Sequence, residues 1–267
     1  MQKIGVSEQP VIDGARELAR ALGASKVFRD YEHALEKYQS DPSAADLLER
    51  LRRLKQNPSM QEMLWGNPGS DWGEQLASLQ QQVDAHPAIR ALQESETELV
   101  DLLFGIVLRL GESTGIDYAE ACTGRGLSNC GPTRSSEQFA AALRNSPEVT
   151  TAIETVVRSI RATEEYDRFE AARQKFQHDP EVLRVRKEVK AIIDSYIRAQ
   201  ENGTVTVETI QKVRNAQMSL GGHPVVQDLS GKRQQVHNLF QTVNQTIGEV
   251  LGLDLAQAVA PASGCCG

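Results

Sequence analysis

The chain has 267 residues, a net charge of -7 and a pI of about 5.4, with 40% hydrophobic and only 5% aromatic residues. That length suits one large domain or two medium ones. The acidic balance disfavours a surface built to hold DNA or RNA phosphates, and no apolar run reaches the ~18–20 residues that a membrane span needs.

Met1-Gln2-Lys3-Ile4 lacks the apolar core of a signal peptide, so a cytoplasmic protein is the expectation. The first helix is expected over 11–22, with Ile12, Ala15, Leu18, Ala19 and Leu22 on one face and Gly23 at its end. A second follows over 25–39, carrying Phe28, Tyr31, Leu35 and Tyr38. Asp41-Pro42 then opens a third, because Asp is a strong N-cap and Pro suits the first helical turn. Its stripe is Leu47, Leu48, Leu51 and Leu54, and the pattern allows it to run on to Trp65. The segment from Trp65 to Trp72, rich in Gly, Asn and Pro, reads as a turn. A fourth helix over 73–83 leads to His86-Pro87 and a long fifth helix. That helix bears Ile89, Leu92, Leu99, Leu103, Ile106 and Leu110 at steps of three and four. It ends at Gly115-Ile116-Asp117.

From Cys122 to Asn145 the texture becomes small, polar and Gly-rich, with one short helix expected over 137–143. After Ser146-Pro147 the first pattern returns. Tyr166, Phe169 and Phe176 match Phe28, Tyr31 and Tyr38 at a constant offset of 138 residues, and Asp179-Pro180 matches Asp41-Pro42. His223-Pro224 and Gly252-Leu253-Asp254 repeat the bounds of the long helix at an offset of 137. Val226, Leu229, Val236, Phe240, Val243 and Ile247 restate its stripe. No alternating strand-type run appears. The sequence therefore specifies an all-α chain made of two tandem bundle repeats of about five helices each. The repeats occupy 1–121 and 147–257, joined by a linker over 122–146 and followed by a flexible Cys-Cys-Gly tail over 258–267. We expect an intramolecular pseudo-dimer with long antiparallel helices, 86–113 and 223–250, near its pseudo-twofold. In that arrangement Glu96 and Arg233, equivalent charged positions on the two stripes, become a complementary pair.

An aromatic-bearing helix, an Asp-Pro that opens a Leu-rich helix, and an X-Pro helix ending in Gly-φ-Asp resemble the YlbF/YmcA family of small bacterial all-helical proteins. The matching pieces are 31–42 and 86–117, with their partners 169–180 and 223–254. The resemblance implies a regulatory adaptor rather than an enzyme. Family members form helical dimers and join complexes that support competence, sporulation and biofilm formation. It further implies links to ribonuclease Y and mRNA maturation, and iron–sulfur clusters held by cysteines. The tandem duplication departs from the single-unit members, so this chain is expected to be its own dimer, with further homo-oligomers open.

Cys122, Cys130, Cys265 and Cys266 fall in pairs after each repeat. Four thiolates suit zinc or a [4Fe–4S] cluster, although their spacing matches no ligand signature and incidental cysteines are the alternative. His86 and His223 precede proline and are expected to be N-caps, while His33, His178 and His237 lie on polar faces. Trp65 and Trp72 are candidate partner anchors, or else cover the end of their own bundle. Arg52 and Arg53 on the third helix, and Arg186 and Lys187 on its counterpart, form basic stripes that could face an acidic partner or simply solvent. No catalytic constellation is visible. The expected function is a non-enzymatic adaptor whose partners are proteins, such as members of a YlbF/YmcA-type complex or an RNase, with no DNA and no membrane. The alternatives are a helical scaffold without cofactor and a metal-dependent redox sensor.

Overall fold

The computed structural model describes residues 8–56, 71–124 and 136–259, and every regular element among them is an α-helix. The first repeat comprises α1 (Gln9–Ala24), α2 (Lys26–Gln39), α3 (Pro42–Gln56), α4 (Asp71–Ala85), α5 (Pro87–Thr114) and a short α6 (Tyr118–Thr123). An intervening helix, α7 (Ser136–Arg144), precedes the second repeat. That repeat comprises α8 (Pro147–Arg161), α9 (Glu164–His178), α10 (Pro180–Glu201), α11 (Val207–Gly221), α12 (Pro224–Leu251) and α13 (Leu255–Val259). Asp71 and Trp72, expected in a turn, are already helical, and Cys122, expected in the linker, lies on α6.

The helix boundaries follow local chemistry that the duplication preserved. Ser25 and Thr163 occupy matching positions, and their side chains accept from the backbone N–H of Phe28 and Tyr166, each at 3.2 Å. Asp41 and Asp179 accept from the first free N–H groups of α3 and α10 in the same way. Such caps satisfy donors that a helix start leaves orphaned. Both 28-residue helices, α5 and α12, stop at a glycine with positive φ, Gly115 at 71° and Gly252 at 67°. Any residue with a Cβ is strained in that left-handed conformation.

The two repeats share one core. Its buried members include Leu18, Leu22, Leu103 and Ile106 from the first repeat, and Val156, Ile160, Phe240 and Ile247 from the second. The pair at the pseudo-twofold is α1 with α8. Gly14 allows the close crossing, because a Cβ there would already stand 3.4 Å from the Val156 backbone. Around this crossing the neighbours are exchanged: α1 lies along α12, α8 against α5, α6 on α12, and α13 on α5. The chain is thus an intramolecular pseudo-dimer of two helical repeats. The two long helices do not form the seam at its axis, contrary to expectation, because their apolar stripes are used against the other repeat's first and last helices.

The exchanged seams differ in one respect. On α1, Ala15, Ala19 and Gly23 stand one turn apart; both alanines are fully buried, and a Cβ on Gly23 would lie 3.0 Å from Leu251 Cδ2. Small residues let α1 approach α12 closely. The matching positions on α8 are Ile153, Val157 and Arg161. These larger side chains hold α8 off α5, and a cleft of about 510 Å³ opens between the two helices. This difference predicts the tolerance of each seam. Ala19→Leu should cost about 1–3 kcal/mol by overpacking. Val157→Leu, beside the cleft, should cost less than about 1 kcal/mol. Urea denaturation measures both, and equal losses would contradict this reading of the seams.

Candidate functional site

Three polar side chains of α12 hold the short helix of the other repeat. Arg233 Nη2 donates to Glu120 Oε2 at 2.6 Å, and Gln241 Nε2 donates to the Ala121 carbonyl at 3.1 Å. The fully buried Tyr118 directs its hydroxyl to Asn244 Oδ1 at 3.4 Å, while its ring meets Phe240 edge-on with centroids 5.2 Å apart. Asn244 also accepts from Ala256 N and donates to Asp254 Oδ1, each at 3.0 Å, so it ties α6, α12 and the start of α13 together. The expected Glu96–Arg233 pair is not formed. Arg233 faces the other repeat's short helix, and Glu96 is exposed on α5.

Beside the ion pair lies His237, which is half-buried rather than on a polar face. Its Nε2 is enclosed without a hydrogen-bond partner. Burial, and after it the Arg233 charge, lower its pKa, against weaker opposition from Glu120 and Asp117. Elsewhere between the repeats, side chains of the second repeat reach the C-terminal carbonyls of α5. The Arg161 guanidinium donates to Ser113 O, and the Tyr166 hydroxyl donates to Thr114 O at 3.3 Å. These carbonyls carry the negative end of the helix dipole and have no partner within α5.

Cys122 is half-buried among apolar neighbours of the shared core. Burial pushes its thiol up to about 12; the Asp254 carboxylate adds to the rise, and a hydrogen bond with Tyr118 opposes it. A metal ligand must be a thiolate, the form that burial disfavours at Cys122 while no metal is bound. No group of three His, Cys, Asp or Glu side chains able to hold a metal occurs among the described residues. Cys130, Cys265 and Cys266 lie outside them, as does Trp65; of Trp72 only the backbone, in the first turn of α4, is described.

The two His-Pro histidines have different roles. His223 accepts from Val225 N at 3.3 Å and is an N-cap, as expected. His86 makes no such bond; its Nε2 lies 3.0 Å from Ser43 Oγ and 3.7 Å from Asp41 Oδ2, and thereby ties the start of α3 to the start of α5.

The basic stripes are exposed but partly neutralised. Arg53 pairs with Glu49 at 2.8 Å, and Arg184 pairs with Glu188 at 2.7 Å and Glu181 at 3.4 Å. Arg186 sits over the Phe176 ring at 5.1 Å, while Arg52 lines a shallow cleft with Leu48 and Lys55. Lys187 is exposed.

The helical hairpins that carry these stripes differ more than the stripes do. In the first repeat, α3 and α4 enclose a core of their own, built from Ala44, Leu51, Leu79 and Val83. In the second, α10 and α11 bury only Val182, Val189 and Ala216, and leave Leu183, Ile197, Ile210 and Met218 about half exposed and Val207 84% exposed. Sequence reasoning missed this arm and the α5–α8 cleft. Comparing the repeats position by position holds the signal for the cleft, since Ala, Ala and Gly in one copy become Ile, Val and Arg in the other.

A family model described as control of competence regulator ComK, YlbF/YmcA matches residues 11–112 and again 149–251. No curated protein and no solved structure matches the chain. The two matched spans fall on α1 to α5 and on α8 to α12, and omit the short helices α6 and α13 that end the repeats, together with α7.

Two outcomes follow from the polar seam. Arg233 and Glu120 are each 41% exposed, so their pairing is partly screened. Arg233→Ala should therefore cost no more than about 1 kcal/mol in urea denaturation. His237 titrates below its ordinary 6.5 in the folded chain. Below that value the unfolded chain binds a proton that the folded chain resists, so stability falls as the pH drops. The urea midpoint should therefore fall less in His237→Gln than in the unaltered chain between about pH 7 and 5. Parallel losses would show that His237 is not the responsible group.

Proposed function

The chain belongs to the YlbF/YmcA family of control-of-competence regulators, and from that membership we propose that it is a non-enzymatic adaptor working through contacts with other proteins. The observation that carries this reading is the arm formed by α10 and α11. Fully burying an exposed aliphatic side chain contributes about 1.5–3 kcal/mol, and a half-exposed one about half of that. Val207, Ile210, Met218, Leu183 and Ile197 together are enough to support a specific contact once ordering costs are met. The second repeat buries the counterparts of the first hairpin's core, Val182, Val189 and Ala216, and carries these exposed residues in addition. The arm suits a partner helix with an apolar face, with Arg186 and Lys187 at its edge favouring acidic residues there. Members of a YlbF/YmcA-type complex, or an RNase, are the partners that the family resemblance implies.

No helix among the described residues is long and apolar enough to cross a membrane, which accords with a partner met away from the bilayer core. Metal or cluster binding by the cysteines is a separate reading. It rests on the pairing of cysteines after each repeat and on the family resemblance, and would draw on Cys122, Cys130, Cys265 and Cys266. Anaerobic purification followed by iron and zinc analysis tests it. Bound metal that disappears in Cys265→Ser with Cys266→Ser supports it, and a colourless, metal-free chain ends it.

The adaptor reading is tested by capture. The full chain should retain a reproducible protein partner from its native host, and Val207→Asp with Ile210→Asp should abolish that capture. Both side chains are exposed, so the melting temperature should change by no more than a few degrees. A chain that captures no partner would refute the adaptor reading. Unchanged capture by the double variant would remove the arm from it.

A further inference from the structure

We propose that α6 is an acid-sensitive latch between the two repeats: protonation of His237 loosens the Arg233–Glu120 pair, lifts the C-terminal half of α6 from α12, and exposes the Cys122 thiol. The latch goes beyond the adaptor reading and does not rest on it, since it involves no residue of the α10–α11 arm.

His237 stands on α12 one turn after Arg233. Its Nε2 is enclosed and has no hydrogen-bond partner. A neutral ring leaves one polar atom unmet there. A protonated ring carries an N–H at both nitrogens and a positive charge, and the enclosed donor finds no acceptor. The charges that act on the ring are Arg233 on its own helix and, from the other repeat, Glu120 and the α6 N-cap Asp117. No described charged group of α1, α9, α11 or α13, the other helices on α12, adds to them. Asp117 already accepts from Glu120 N at 3.0 Å, and Glu120 already accepts from Arg233 at 2.6 Å. A second cation beside Arg233 repels that guanidinium or contends with it for the same carboxylate, and both effects weaken the pair. Release returns the ring to water, where it takes up a proton at its ordinary 6.5. The closed form resists that proton, so the released form gains as the pH falls through 6.5.

The short helix is built to give at one end. Its six residues are too few to stand as a helix without their ties to α12. Tyr118 is the anchor, fully buried with its ring on Phe240. Beyond Ala119 the helix buries only the small side chain of Ala121. What else holds that end is the Arg233 pair, 41% exposed on both sides, and the bond from Gln241 to the Ala121 carbonyl. Segments with so few buried contacts open before the rest of a fold does. Cys122 lies in this half. While α6 is closed, burial keeps its thiol protonated and unreactive, with a pKa of about 12. Once α6 lifts, it reacts as a solvated cysteine.

The test uses the full chain carrying Cys130→Ser, Cys265→Ser and Cys266→Ser, so that Cys122 is the remaining thiol. Its reaction with dithiodipyridine is followed by absorbance and divided at each pH by the rate for glutathione, which removes the intrinsic pH dependence of a free thiol. This relative rate should rise by about threefold or more between about pH 7.5 and 5.5. With His237→Gln added it should stay flat. With Arg233→Gln added, which breaks the pair and leaves the ring in place, it should already be raised at about pH 7.5. The rise at low pH should depend only weakly on urea below the unfolding transition, because local opening exposes little surface. A flat rate in the chain that keeps His237, an equal rise with His237→Gln, no change with Arg233→Gln, or a urea dependence as steep as that of whole-chain unfolding would each overturn the latch.

Discussion

The crossing of α1 over α8 is the contact from which the rest of the architecture follows. At Gly14 a Cβ would already touch the Val156 backbone at 3.4 Å, and Ala152, its equivalent on the other helix, is nearly as small. Two amphipathic helices can then approach closely enough to bury Val11, Leu18 and Leu22 of one copy, and Val149, Val156 and Ile160 of the other, in one continuous core. With the first helices committed to each other, the long helices cannot also meet at the axis. Each packs instead against the first and last helices of the opposite copy, and neither repeat owns a complete core. Interiors packed at crystal-like density leave little room for alternatives.

Duplication within one chain changed what symmetry permits. In a dimer of identical subunits any residue placed at an interface appears twice, so a change that helps one seam is imposed on both. Here the seams have diverged separately. Arg233, Gln241 and Asn244 hold α6 with polar contacts, while their counterparts Glu96, Phe104 and Val107 do not repeat that set. Ala15, Ala19 and Gly23 close one seam; Ile153, Val157 and Arg161 open the other. Both hairpins bury their matching core positions, and α10–α11 carries further apolar residues in water. Each asymmetry adds a surface that a symmetric dimer would carry in duplicate or lack.

Much of this was legible from residue order alone. The two repeats, their all-helical character, the Asp-Pro caps, the glycine stops of the long helices and the aromatic helices all follow from local rules, because caps, periodicity and left-handed glycine are decided within a turn or two of chain. His223 behaved as the sequence suggested for the same reason. His86 takes the same N-cap position with extended backbone, but its ring meets Ser43 and Asp41, which are distant in the chain, instead of the helix's own N–H groups. The short α6 has too few residues to show a period, so the sequence places Cys122 in the linker. The neighbours of His237 along α12 are polar and suggest a solvated ring, whereas the seam that encloses it comes from the other repeat.

By itself, the sequence determined what each segment would become and that the pattern occurs twice. Only the tertiary structure decided which faces meet: α1 with α8 rather than α5 with α12, and Arg233 with Glu120 rather than Glu96. A helical stripe records that a face will be buried but not against what, and two matched stripes are equally compatible with each other and with a third helix. Side-chain volume at the crossings is in keeping with that choice, since Gly14, Ala19 and Gly23 permit a closer approach than Val157 and Arg161 do.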